Sequence, residues 1–299
     1  MVWSRIVPGA ALLLAVLVAV ATSVDAVLAG HWAYPTWLAI ASVVGLVLVW
    51  RGARAPAARP GTARGVGRWS LALLGVALAG LTFWLAPYRV AVEDPGLLTS
   101  PPQVVVTSDT ASIRLEPTGE DAAVGVAFLP GALVDPRAYI PVLTPLVQAG
   151  HPVVIIKPPL GIAFLAPGAV GRASAAFPEV DRWVVAGHSL GSAVGSGQAV
   201  EDDASGLILL ASYPIGDLSG SDLPVLSVSG TNDGLTTKDD VAASRSQLPA
   251  DTEFVVIEGG THAFFGDYGT QAGDGVPETG REDAREQMVG AMLAFLAGL

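Results

Sequence analysis

Cysteine is absent from the 299 residues. This excludes disulfides, a thiolate nucleophile and any Cys-ligated metal, and it leaves the compartment undetermined. Charge is scarce as well, at 14% of residues against 51% hydrophobic, which is too apolar for one soluble domain of ordinary make-up. Part of the chain is therefore expected in a membrane. Basic residues are the rarer sign, 16 against 27 acidic. They are also unevenly placed: residues 1–92 hold seven Arg and one Asp, net +6, whereas 93–299 hold nine basic and 26 acidic residues, net −17. An acidic domain repels phosphates, so nucleic acid and anionic lipid are excluded as its partners.

Long apolar runs are confined to the amino-terminal third. Stretches at about 6–24, 34–50 and 69–86 each approach the roughly 20 residues that a hydrocarbon core requires. Trp32, Trp37, Trp50, Trp69 and Trp84 cluster at their ends, as interfacial aromatics do. Three transmembrane helices are expected, forming a membrane region over 1–92. Ala21, Ser23 and Ala26 offer small residues at which a signal peptide could be cut, but two further spans follow at once, which favours retention. Arg51, Arg54, Arg59, Arg64 and Arg68 lie between the second and third stretches, and residues 29–33 between the first and second carry no Lys or Arg. The arginine loop is thus expected in the cytoplasm. With three crossings, everything after residue 86 falls on the extracytoplasmic side of the cell membrane.

Residues 93–102, rich in Pro, read as a linker, with a folded domain over 103–299. Runs suited to buried strands occur at 104–107, 112–115, 124–129, 153–156, 183–186, 207–210, 225–228 and 254–257. They alternate with helical stretches near 136–149, 169–177, 190–200, 238–248 and 281–295. This alternation predicts an α/β fold with a mostly parallel sheet covered on both faces.

Gly187-His188-Ser189-Leu190-Gly191 sits between a strand and a helix. A serine at such a turn needs glycine two residues before and after, because strand and helix approach too closely for side chains. Ser189 is the candidate nucleophile. Of the four histidines, His31 lies beside the apolar stretches, His151 at the start of a strand, and His188 next to the serine and pointing away. His262, in the glycine-rich loop after the last strand, is the candidate general base. An acid is needed to orient it. Asp233, directly after the strand 225–228, fits, with Asp217 in reserve; Asp239 and Asp240 suit the first turn of a helix. An oxyanion hole takes two backbone N–H groups. Leu190 supplies one, and Ala132, or alternatively Leu133, supplies the other from the turn after 124–129. Lys157 either lines the pocket or caps a neighbouring carbonyl. The loop 266–275 has spaced aspartates but lacks calcium-loop spacing and a closing Glu, so neither metal nor cofactor is expected.

The order strand, oxyanion turn, elbow, Asp, His resembles the α/β-hydrolase fold over 104–299. More narrowly, Phe128-Leu129-Pro130-Gly131 with Asp135-Pro136-Arg137-Ala138-Tyr139, the elbow, and Gly260-Thr261-His262-Ala263 followed by Gly266-Asp267-Tyr268-Gly269 resemble a bacterial subgroup of small dienelactone-hydrolase-like proteins. The true dienelactone hydrolases use Cys where Ser189 stands, so dienelactone is not the implied substrate. The resemblance implies a serine hydrolase with a Ser189-His262-Asp233 triad, to which the apolar stretches, lying outside the resemblance, add a membrane anchor. Its expected partners are a small-molecule ester or lipid-like substrate and the bilayer. Acyl transfer by the same triad and a silent hydrolase-fold binding module are the alternatives.

Overall fold

The structure is a computed structural model and describes residues 3–54, 62–119 and 124–299. It divides into two compact units, Met1–Pro87 and Tyr88–Leu299. The first contains helices α1 (Trp3–Ala29), α2 (Ala33–Arg54) and α3 (Thr62–Trp84). Where helices meet, small residues allow close approach: a Cβ on Gly9 would lie 2.7 Å from the Gly45 carbonyl oxygen, and one on Gly75 would lie 2.6 Å from Pro8 Cβ. The outward positions are apolar, among them Leu14, Leu17, Val43, Leu46, Leu73 and Phe83. In a water-soluble bundle those positions are polar.

Two helices, Ile6–Ala29 and Ala33–Arg54, are long and apolar enough to cross a bilayer. The third differs from expectation. Among the described residues its apolar part is the shorter Ala72–Trp84, and α3 itself ends at Trp84. Arg59 of the expected cytoplasmic loop falls outside the described residues.

The second unit begins at Tyr88, so the stretch read as a linker, 93–102, lies inside it and contains a short 3₁₀ turn, Pro95–Leu98, capped by Asp94. Its strands are β1 (Val104–Ser108), β2 (Ser112–Pro117), β3 (Val124–Leu129), β4 (Val153–Ile156), β5 (Arg182–His188), β6 (Gly206–Leu210), β7 (Val225–Gly230) and β8 (Glu253–Ile257). They form one sheet in the order β1-β2-β4-β3-β5-β6-β7-β8. The pairs β1–β2 and β2–β4 are antiparallel and the others parallel. The helices are α4 (Ile140–Gln148), α5 (Ala169–Ser174), α6 (Leu190–Glu201), α7 (Lys238–Ser244) and α8 (Arg281–Ala297).

Alternation along a strand sends neighbours to opposite faces, and two cores follow. Val126, Phe128, Val184 and Ala186 pack with residues of α4 and α8. Ala127, Leu129, Val185 and Leu207 pack with residues of α5 and α6. With both faces covered, β3 is buried at all six positions, which is why it reads as an unbroken apolar run. Side chains fill both faces, so the place left for chemistry is the edge where the parallel strands end.

Candidate active site

Backbone strain concentrates at that carboxyl edge. Six non-glycine residues among those described have positive φ, and four of them, Leu133, Leu160, Ser189 and Ala211, lie just beyond β3, β4, β5 and β6. Such strain persists where surrounding structure over-determines it, commonly at functional sites. Ser189 has φ 53° and ψ −128°. A Cβ on Gly187 would come 2.6 Å from Ser192 N, and one on Gly191 would come 2.1 Å from the Leu129 carbonyl oxygen and 2.4 Å from that of Pro130. Both glycines are therefore required, and Gly191 brings the elbow directly against the turn after β3. The elbow is pinned further: Ser189 N donates to Leu210 O at 2.9 Å, and Ser212 Oγ donates to Ser189 O at 2.8 Å. The half-buried Ser189 hydroxyl has no hydrogen-bond partner among the described residues.

Asp233 and His262 meet. His262 Nδ1 lies 2.8 Å from Asp233 Oδ2, and both side chains are buried. The other carboxylate oxygen of Asp233 accepts from Leu235 N at 2.8 Å and Thr236 N at 2.7 Å. The carboxylate is thereby locked. The carboxylate accepts a hydrogen bond from Nδ1–H, a tautomer that leaves the Nε2 lone pair free. His262 also lies close to the elbow, its ring centroid 4.6 Å from that of His188. A serine–histidine bond is not formed in this structure. Such bonds are often long before substrate binds.

The N–H groups near the serine divide cleanly. Leu190 N and Ala132 N have no hydrogen-bond partner among the described residues. Leu133 N, the alternative donor, is instead spent on Gly161 O at 2.9 Å, so it is removed as a candidate. Asp217, the reserve acid, accepts from its own Ser219 N at 2.9 Å in an exposed turn and does not meet His262. Asp240 forms a capping box with Thr237 at the start of α7. Lys157 is not a pocket group: its buried Nζ donates to Ser108 Oγ at 2.8 Å and Asp109 O at 2.6 Å, tying β4 to the β1–β2 hairpin. Burial lowers its pKa.

Sequence reasoning missed two supporting groups. Tyr139 Oη accepts from Gly131 N at 2.9 Å and lies 2.9 Å from His188 Nδ1. The hydroxyl thus bridges Gly131 N and His188 Nδ1, and the tautomer of His188 sets the direction of the second bond. Burial pushes the His188 pKa well below the ordinary histidine value, the charge of His262 acts in the same direction, and the His262 backbone opposes it. Burial raises the Tyr139 pKa, so the hydroxyl keeps its proton. This chain fixes the turn after β3 to the residue preceding Ser189. The second missed group is Asp274. Its Oδ1 accepts from His262 N at 3.0 Å and its Oδ2 from Ala263 N at 2.9 Å, and Oδ1 also accepts from Gly234 N at 3.3 Å. One carboxylate therefore joins the loop of Asp233 to the loop of His262. Arg281 of α8 holds the same turn through Ala263 O and Gly266 O, and Arg285 pairs with Asp267. Spacing alone carries no sign of these long-range bonds.

The family model of the α/β hydrolases matches residues 125–286. That is more than half of the chain, which belongs to the α/β-hydrolase family. Among solved structures, the chain is similar to TT1662 from Thermus thermophilus, at 16% identity and TM-score 0.48 over 65% of this chain and 97% of that one. An alpha-beta serine hydrolase homologue from Coxiella burnetii matches at 18% identity and TM-score 0.46, over 63% and 96%. A butyrate-bound esterase from Thermogutta terrifontis matches at 17% identity and TM-score 0.46, over 66% and 94%. Likeness at these identities concerns the fold alone. No curated protein matches the chain.

Proposed function

We propose that the protein is a membrane-anchored serine hydrolase that cleaves carboxylic esters through an acyl-enzyme. The observation that carries this is the locked Asp233–His262 pair at 2.8 Å beside a strained serine elbow. Ser189 Oγ attacks the ester carbonyl and His262 Nε2 takes its proton. Asp233 holds the imidazole tautomer and stabilises the imidazolium. The developing oxyanion accepts from the free N–H groups of Leu190 and Ala132. Collapse expels the alcohol, which receives the proton from His262. Water then attacks the acyl-Ser189 carbonyl, giving its proton to His262, and Ser189 Oγ recovers that proton as the acid leaves.

The anchor is the first unit. Its apolar outward positions and the length of α1 and α2 support crossing of the bilayer, and we read the apolar part of α3 as the third crossing. Arginines flanking the α2–α3 connection then place that connection in the cytoplasm and the site outside. Protease added to intact cells removes the second unit on this reading; full protection would reverse the orientation.

Phosphonylation requires an activated serine, so it tests the chemistry without a known substrate. The full-length protein in detergent is expected to react with a fluorophosphonate probe, and Ser189→Ala and His262→Ala to lose the reaction. A folded wild type that does not react would leave a hydrolase fold used only for binding.

A further inference from the structure

Nine large apolar side chains are exposed among the described residues of the second unit, and six of them stand on loops at the carboxyl edge of the sheet. Phe164 and Leu165 follow β4, Tyr213 and Ile215 follow β6, Leu235 follows β7, and Val276 follows β8. In the sheet order these strands flank β3 and β5, whose loops hold the oxyanion turn and Ser189. Exposure is high, at 60% for Phe164 and 79% for Val276.

The six are tied to the catalytic loops. Ser212, next to Tyr213, donates to Ser189 O. Ile215 N donates to Ser196 Oγ of α6 at 3.0 Å. Asn232 Nδ2 donates to Val276 O at 2.9 Å, and Leu235 packs beside Gly273. The loop of Phe164 is held to the oxyanion turn through Leu133 N and Gly161 O. An apolar rim held in place around a polar centre marks an interaction face rather than scattered surface residues.

The point of tethering selects the occupant. Tyr88 N donates to Leu133 O at 2.7 Å, Asp135 N to Tyr88 O at 2.9 Å, and Ala91 N to Asp267 O at 2.8 Å. The chain thus joins this unit at the edge that carries the site. Only three residues separate Tyr88 from Trp84, the end of α3, at most about 14 Å of extended chain from one to the other. Trp at the end of an apolar helix is an interfacial anchor.

We propose that the carboxyl edge of the sheet docks on a bilayer of zwitterionic or neutral lipids and takes its substrate there, an ester whose acyl chains lie in that bilayer. Net charge of −17 over 93–299 disfavours anionic lipid. The substrate class rests on the hydrolase reading above; the docking does not.

The absence of cysteine permits a direct test on the full-length protein in phosphatidylcholine nanodiscs. Phe164→Cys, Val276→Cys and Val200→Cys are each labelled with a fluorophore. Val200, at the far end of α6, is 52% exposed and serves as the aqueous control. Labels at 164 and 276 are expected to be quenched by nitroxide-bearing lipid and protected from iodide, and the label at 200 the reverse. Iodide quenching equal at all three sites overturns the docking, as does iodide protection without lipid quenching, which would mean that another protein covers the rim. This readout needs no turnover. Separately, the ratio of rates on a vesicle-embedded long-chain ester and a soluble short-chain ester is expected to fall at least about tenfold in Phe164→Ser/Val276→Ser, the loss of two buried apolar contacts. An unchanged ratio overturns the assignment of substrate. A folded wild type with neither rate nor fluorophosphonate labelling would instead count against the hydrolase reading, with the docking still decided by the quenching.

Discussion

Asp274 accepts the backbone N–H of His262 at 3.0 Å across twelve positions of sequence. The same carboxylate reaches Ala263 N and Gly234 N, so the distance between base and acid depends on a side chain that touches neither imidazole nor substrate. Asp274→Ala frees both turns. Misplacement of a catalytic group by about 1 Å costs up to about a hundredfold, and we expect kcat on a soluble ester to fall about tenfold or more with KM little changed, and Asp274→Asn to recover part of it. Wild-type kcat in Asp274→Ala would show that the clamp is dispensable.

Tyr139 holds the oxyanion turn. In Tyr139→Phe the buried Gly131 N–H loses its acceptor and His188 Nδ1 its hydrogen-bond partner. An orphaned buried group costs about 1–3 kcal/mol, which for a unit of this size lowers Tm by roughly 2–12 °C. Calorimetry of the purified protein measures this; an unchanged midpoint would mean that water replaces the hydroxyl without loss.

Two glycines of α6 should respond in opposite ways to alanine. At Gly191 the added carbon would sit 2.1 Å from a backbone oxygen, whereas at Gly197 nothing lies within 4 Å. Gly191→Ala is expected to give little folded protein and no probe labelling. Gly197→Ala is expected to stabilise by up to about 1 kcal/mol, the helix preference for alanine. A folded, reactive Gly191→Ala would contradict the close approach of elbow and oxyanion turn.

His188 makes stability sensitive to mild acid. Its folded-state pKa is depressed well below 6.5 by burial and by the charge of His262, so below that pH the unfolded chain binds a proton that the folded protein refuses. Its contribution is constant above the unfolded-state value and is lost as pH falls beneath it, at up to about 1.4 kcal/mol per pH unit. Unfolding midpoints measured between pH 7.5 and 5 (roughly the window around the histidine reference) should drop more steeply in the wild type than in His188→Gln. Equal slopes would assign the effect to other groups.

Much of the fold was legible because its signals are local. Runs of Val, Ile and Leu broken by turn residues located the strands, most clearly β3, β4, β6 and β7, which are buried at every position because both faces are covered. The elbow was legible for the same reason: Gly187 and Gly191 are required by contacts within a few residues and with one neighbouring turn. Among the described residues only α1 and α2 are long and apolar enough to cross a bilayer; hydropathy locates an apolar stretch but not the end of its helix, and α3 stops at Trp84. Within 93–102, Pro and Ser mark irregular backbone without showing its contacts: Asp94 caps a 3₁₀ turn, and Pro102 O accepts from Gln148 Nε2 at 3.0 Å.

By itself, the sequence determined the strand and helix alternation, the glycine-flanked serine turn and the order Ser189, Asp233, His262, all of which follow from side-chain size, periodicity and chain direction. Which groups are free and which are spent was decided by tertiary structure. Ala132 and Leu133 are neighbours of similar local character, yet only Leu133 N finds Gly161 O. Asp217 and Asp233 both follow strands, yet only Asp233 meets His262. Asp274, twelve residues beyond the histidine, becomes its backbone clamp. A buried polar group is satisfied by whatever the fold brings within 3 Å, and that partner is a property of the packed chain, not of its local spacing.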